Sequence, residues 1–389
     1  MSSSDGPLFR PPLAHEEAVL LAAATRARRA ATAPRLQEVL GRVSWPALFD
    51  ELARQRLVPL LGARILDAAP SAPEAVAGAV RAETSAARTA GELTELVTLR
   101  IATALESAGI ANVPLKGPLL ARALHGDAAM RFSRDIDVLV ARNDLARSVA
   151  ALAGLGWRVD RHAAAPVLHV RLVSDAGLPD VELHWRVHWY EREFAARALE
   201  RSASGPDGVR RLRPEDELVT LLLYHARDGF AGLRHSTDIA AWWDANDVPS
   251  RPLLGAVLDT YPALERALTA GALVLDRLAG VSRGALVGNR PRDPWAVRRA
   301  ARLANPLMRG SPSQIVAEAA LVDGMLAPPG ARRAVVRRRA FPSASELPAD
   351  SHGRSLAGRR AGHQARVLAR CAFALVRPRR AGLRLPRTG

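Results

Sequence analysis

The stretch Arg131-Phe132-Ser133-Arg134-Asp135-Ile136-Asp137-Val138-Leu139-Val140 decides how this chain is read. Its second half, Ile136 to Val140, is an apolar run broken by one carboxylate, the pattern of a buried strand. Successive side chains on a strand point to opposite faces, so Asp135 and Asp137 share one face. Two neighbouring carboxylates repel, and burying them unpaired costs on the order of several kcal/mol. A divalent cation removes that cost. Hard cations such as Mg²⁺ take oxygen ligands, commonly one or two carboxylates together with substrate phosphates. For the two acids taken alone, a solvated pair bonded to Arg131 and Arg134 is the plainer reading.

The flanks decide between these readings. Upstream, Ile110–Leu115 is short and extended, and Lys116-Gly117-Pro118 forms a turn into a helix over Leu119–Leu124, with Pro118 suited to its first turn. Downstream, Asn143 or Asp144 is placed to cap a helix over Leu145–Leu155. Trp157–Val159, Val167–Val173 and Val181–Trp189 read as strands, the last two joined by the turn Gly177-Leu178-Pro179-Asp180. Alternation puts Glu182 and His184 on one face of the last strand. If that strand lies beside the one bearing Asp135 and Asp137, three carboxylates converge. Three carboxylates can hold two metal ions, one activating an attacking hydroxyl and one stabilising a leaving pyrophosphate. His184 reads as a group orienting these acids. Its spacing to His188 is that of a zinc pair on a helix, but along a strand the two are too far apart to share one ion.

Arginine supplies 54 of the 55 basic side chains, and Lys116 is the single lysine. A GC-rich coding bias, and with it a bacterial source, accounts for the arginine excess but not for the surviving lysine. A lysine is a compact point charge that arginine does not replace. Beside Gly117, which lets a backbone approach a phosphate, and ahead of a helix N-terminus, Lys116 is expected to contact phosphate. Arg131 and Arg134 are expected to do the same.

The remainder of the chain reads as helical. Ala and Leu recur at helical spacing through Glu16–Ala31, Arg35–Leu40, Trp45–Arg54 and Pro73–Ala108. After Pro214, the acids Glu215-Asp216-Glu217 occupy a first turn where the helix dipole favours them, ahead of Leu218–Ala226. A helix over Ser236–Asn246 follows, and helices continue to about Leu326. The expected division is a helical region over 1–90, an α/β core over 91–205, a helical domain over 206–330 and a basic tail over 331–389. That tail holds 15 arginines against Glu346 and Asp350, whereas the other 330 residues are nearly balanced, at a net charge of +3. A solvated basic terminus is the plain reading of the tail. Contact with nucleic acid, anionic lipid or an acidic partner is the alternative. A single cysteine, Cys371, excludes a disulfide within the chain and a cysteine-built zinc site. With no apolar run near the ~20 residues a transmembrane helix needs and no signal-like start, a cytoplasmic setting is expected.

Leu115-Lys116-Gly117, the Arg-x-x-x-Asp-Ile-Asp-Val-Leu-Val run from Arg131, and Val181-Glu182-Leu183-His184-Trp185 together resemble the bacterial uncharacterised nucleotidyltransferases of the DNA polymerase beta-like superfamily. The resemblance covers about residues 90–245. It implies an α/β (α+β) fold, a mixed-sheet core between helical segments. It implies Asp135 and Asp137 as catalytic Mg²⁺ ligands, with Mn²⁺ as the alternative ion, and Glu182 as the third acid. It also implies transfer of a nucleoside monophosphate from an NTP, ATP foremost, to a hydroxyl-type acceptor on a small molecule, peptide or protein. The superfamily usually carries Gly-Ser at the head of the first helix, and this chain has Lys116-Gly117-Pro118 there. The competing expectation is a non-catalytic nucleotide-binding or antitoxin-like partner protein of the same fold.

Overall fold

The computed structural model describes residues 11–331, apart from 70, 132, 161–167, 206, 247–251, 290–293 and 329. The basic tail therefore lies outside the described residues, save its first residue, Ala331. Five strands form one mixed sheet: β1 (Asn112–Pro114), β2 (Asp135–Val140), β3 (Trp157–Val159), β4 (His169–Ser174) and β5 (Asp180–His184), in the order β1-β2-β5-β4-β3. All pairs are antiparallel except β2 and β5, which run parallel. The α/β reading thus holds, with the sheet set among helices.

Alternation along β2 and β5 gives the sheet two unlike faces. Ile136, Val138 and Val140 of β2 join Val181 and Leu183 of β5, Leu172 of β4 and Trp157 of β3 on the first face. Against them pack Val97, Ile101 and Leu105 from the helix Glu74–Ser107, and Leu152 from the helix Leu145–Ala153. Fully burying such side chains stabilises by about 1.5–3 kcal/mol each. Trp157 is fully buried and its indole N–H donates to Pro179 O at 3.1 Å, so its polar atom is satisfied. On the second face Leu139 joins Val113 and Leu115 in a larger core shared with the N-terminal and C-terminal helices. The helix Pro214–Arg227 crosses this side, with Pro214 at its start and the three acids in its first turn as the sequence predicts. Beyond it lies the helix Arg234–Ala245.

Several boundaries differ from the sequence reading, and hydrogen bonds account for the differences. The strand expected over Val181–Trp189 ends at His184. After Trp185 the chain turns, because the Glu191 carboxylate accepts from Val187 N at 3.0 Å and the Arg186 guanidinium donates to the carbonyls of Trp189 and Glu191. Trp189 thus leaves the line of Trp185, and its indole donates to Asp323 Oδ1 at 2.7 Å. Asp144 does not cap its helix through its side chain, since that carboxylate accepts from Arg147 at 2.7 Å instead. The single helix expected over Glu16–Ala31 is two, Ala14–Ala22 and Arg26–Leu40. Between them Thr25 gives both its N–H and its hydroxyl to Ala279 O, each at 2.9 Å. The helical stretch expected over Pro73–Ala108 is the helix Glu74–Ser107. No described helix is long and apolar enough to cross a membrane.

Candidate functional site

The parallel pairing of β2 with β5 sets Asp135 opposite Asp180, Asp137 opposite Glu182 and Leu139 opposite His184. The residues expected to act together therefore arrive on one face of adjacent strands. Carboxylate oxygens of Asp135, Asp137 and Glu182 all lie within 4.8 Å of one another. This cluster is compatible with metal binding. Its donor set is all oxygen, which suits a hard divalent cation.

Within the cluster Asp137 is wholly buried. Its Oδ2 lies 2.9 Å from Lys116 Nζ, and its Oδ1 lies 2.9 Å from His184 Nε2. Burial alone would push this carboxyl up, but the Lys116 charge and the His184 hydrogen bond hold it well below the usual carboxylate range. His184 Nε2 also lies 3.2 Å from Glu182 Oε2. Burial disfavours a charged imidazole, yet the hydrogen bonds to Asp137 and Glu182 raise the His184 pKa above its ordinary value. Glu182 is half-buried. Burial pushes it up, and the His184 hydrogen bond brings it below the ordinary value. Asp135, at the open edge of the strand, accepts the Ser133 hydroxyl at 3.2 Å.

Lys116 reaches Asp137 because of the turn that follows β1. Leu115 N–H donates to Asp137 O at 3.0 Å, which carries the β1–β2 pairing one residue further. Gly117 then adopts φ 90°, ψ −152°, a region essentially reserved for glycine. The helix Pro118–His125 starts directly afterwards. A β-carbon on Gly117 would meet only ordinary contacts, the nearest being Ser133 Oγ at 3.8 Å, so backbone strain alone opposes a side chain there. Gly117→Ala is therefore expected to destabilise the fold by about 1–3 kcal/mol. Urea unfolding checks this, and an unchanged midpoint would show that the turn relaxes freely.

The two arginines expected at phosphate differ in their surroundings. Arg131 is buried, and its Nε donates to Asp238 Oδ2 at 2.7 Å, from the helix Arg234–Ala245. Its Nη2 is buried with no hydrogen-bond partner. Arg134 is exposed. His188 is buried, and its Nδ1 accepts Tyr190 N–H at 3.2 Å.

Three further residues join the site that the sequence reading did not single out. His169 of β4 pairs in register with His184, their rings 4.7 Å apart, and with Glu182 and His184 forms a second group of ligand atoms within 4.8 Å. Burial and the neighbouring His184 push the His169 pKa down to about 4, so it is a neutral donor or acceptor at pH 7. Tyr224 stands edge-on to His184 and lies under the Lys116 ammonium, 5.1 Å from ring centroid to Nζ. Its buried hydroxyl has no hydrogen-bond partner. The Arg227 guanidinium lies 4.5 Å from the centre of the same ring. The alternation of His169 with Arg171 on a strand was a readable signal for the first. Nothing local marks Tyr224 or Arg227, which arrive on a helix some forty residues downstream of His184.

The model of the family described as uncharacterised nucleotidyltransferase matches residues 41–279. That is more than half of the chain and takes in the sheet, the acid cluster and the helices that carry Tyr224, Arg227 and Asp238. The chain belongs to this family. No curated protein matches it.

Proposed function

We propose that this member of the uncharacterised nucleotidyltransferase family transfers a nucleoside monophosphate from an NTP, ATP foremost, to a hydroxyl-type acceptor in a Mg²⁺-dependent reaction. One observation carries the reading: the parallel register of β2 and β5 brings Asp135, Asp137 and Glu182 together, with oxygens within 4.8 Å. Those three residues would hold the metal. When bound, Mg²⁺, or Mn²⁺ in its place, would neutralise phosphate charge and favour the ionised acceptor oxygen.

The chain's own groups do the positioning. In this reading the half-buried Glu182, beside the other two acids, receives the acceptor's hydroxyl proton. His184 bonds to both Asp137 and Glu182 and keeps the two carboxylates in place beside the nucleotide. Lys116 balances the buried Asp137 charge and, with Gly117 at the helix start, faces the phosphates. Arg131, through its unpartnered Nη2, and the exposed Arg134 contribute further positive charge. As the acceptor oxygen bonds to the α-phosphorus, the bond from that phosphorus to the bridging oxygen breaks, and pyrophosphate leaves with the electron pair.

The test is metal-dependent pyrophosphate release from each of the four NTPs, measured against a panel of alcohols, sugars, peptides and proteins. Release with at least one pair is expected. Nucleotide binding without release from any pair would instead favour the non-catalytic partner reading.

A further inference from the structure

Away from the acids, at the other end of β2, the surface opens into a cavity of about 340 Å³. Arg142, Trp185, Arg186 and Arg192 line it, with Ala141 and Ala196 giving small side chains on its walls. Val140 lies three steps along β2 from Asp137 at this end, roughly 10 Å at the rise of a strand, so the cavity is distinct from the acid cluster.

Arginine is abundant in this chain, and a surface arginine is by itself uninformative. Elsewhere, however, many are committed to carboxylates, as in Arg88–Asp127, Arg122–Glu95, Arg158–Asp175 and Arg201–Asp216. Around the cavity the pattern differs. Arg142 and Arg192 are exposed and form no ion pair among the described residues. Arg186 spends its Nη2 on the main-chain carbonyls of Trp189 and Glu191, and its Nε is buried without a partner. Its charge is disfavoured by burial and favoured by the nearby Glu191, while Arg192 and Arg142 oppose it. Glu191, the acid nearest to it, turns its carboxylate to the backbone N–H groups of Val187 and Ala195. No carboxylate lines the cavity. Three like charges held together, with Glu191 acting on Arg186 alone and no carboxylate at the cavity wall, are a standing electrostatic cost, which an anion relieves. Trp185 adds a half-exposed indole with the Arg142 guanidinium 5.9 Å from its ring centre, a surface on which a flat ring can stack.

We propose that this cavity binds a phosphate-bearing planar ring, the chemistry of a nucleoside monophosphate or of a phosphorylated nucleic-acid end, with the phosphate on Arg142 and Arg192 and the ring on Trp185. The volume lies within the range of small-molecule sites, about 300–1,000 Å³. Nothing in the inference depends on the acid cluster being catalytic.

The probe is AMP, titrated calorimetrically in EDTA against the full-length protein and against Asp135→Asn plus Asp137→Asn, so that metal-held nucleotide at the acids contributes nothing. AMP is expected to bind both proteins equally. Arg142→Ala plus Arg192→Ala is expected to weaken it about tenfold or more, from two lost charge-assisted contacts. Both arginines are exposed, so this variant is expected to keep the wild-type circular dichroism and to melt no lower than wild type. Trp185→Leu is expected to weaken AMP but not ribose 5-phosphate, which has no ring to stack. A 5′-phosphorylated oligonucleotide that binds more tightly than AMP, and through the same arginines, would identify a nucleic-acid end as the source of the ligand. The inference is overturned if AMP fails to bind in EDTA, if the arginine variant binds it unchanged, or if binding vanishes in the aspartate variant.

Discussion

Lys116→Met is expected to lower the free energy of unfolding by about 3–5 kcal/mol, the cost of leaving one member of a buried ion pair behind. The lysine side chain is only 8% exposed and Asp137 is wholly buried. Methionine approximates the lysine stem, so the loss would come from charge and not from packing. Without the ammonium, Asp137 keeps only its His184 hydrogen bond. Adding Asp137→Asn removes the stranded charge while its side-chain oxygen can still accept from His184. The double variant is therefore expected to recover more than half of the loss. The sign with pH follows from the same pair. Asp137 is held below the ordinary carboxylate range, so its stabilisation is present above that range and is lost as the pH falls. The single variant, with its carboxyl pushed up, is relieved by protonation, so the gap between it and wild type narrows in acid. Urea unfolding at several pH values measures this. A cost below about 1 kcal/mol at pH 7 would mean that the pair behaves as an exposed one.

The second large effect is on activity. Asp135→Asn plus Asp137→Asn keeps both side-chain shapes and removes two of the three carboxylates that come within 4.8 Å. Metal-borne charge stabilisation is worth several kcal/mol, and about 1.4 kcal/mol is a factor of ten in rate. Pyrophosphate release is therefore expected to fall on the order of 10³-fold. Glu182→Gln alone leaves both aspartates and is expected to cost less, and a bell-shaped pH profile should lose its acidic limb in that variant. Equal activity in wild type and the double aspartate variant would remove the acids from the reaction.

How much of this was legible beforehand divides along physical lines. The common face of Asp135 and Asp137 follows from the period of a strand, and so does that of Glu182 and His184. Their meeting depends on β2 and β5 being parallel neighbours, a long-range pairing on which local pattern is silent. Lys116 stood out because every other Lys/Arg position holds arginine. Its partner did not: the ammonium lies 2.9 Å from Asp137 as well as at the head of a helix. The pairing of Arg131 with Asp238 was not legible either, since the two lie 107 positions apart. Local pattern also failed where side-chain hydrogen bonds cut an element short, a distant one at Thr25 and a short-range one at Glu191. The cavity beside Trp185 was invisible in the sequence for a compositional reason. In a chain with 54 arginines, unpaired ones become evident only when their neighbours in space are known.

The most direct measurement of the central claim is a Mn²⁺ titration followed by electron paramagnetic resonance, with a non-hydrolysable ATP analogue present. The wild-type protein is expected to bind Mn²⁺ beyond what the analogue holds in solution. Asp135→Asn plus Asp137→Asn is expected to lose that extra binding while retaining its fold by circular dichroism. Mn²⁺ binding that is the same in both proteins, or no binding by the wild type beyond the analogue's own, would contradict a metal site built from Asp135, Asp137 and Glu182.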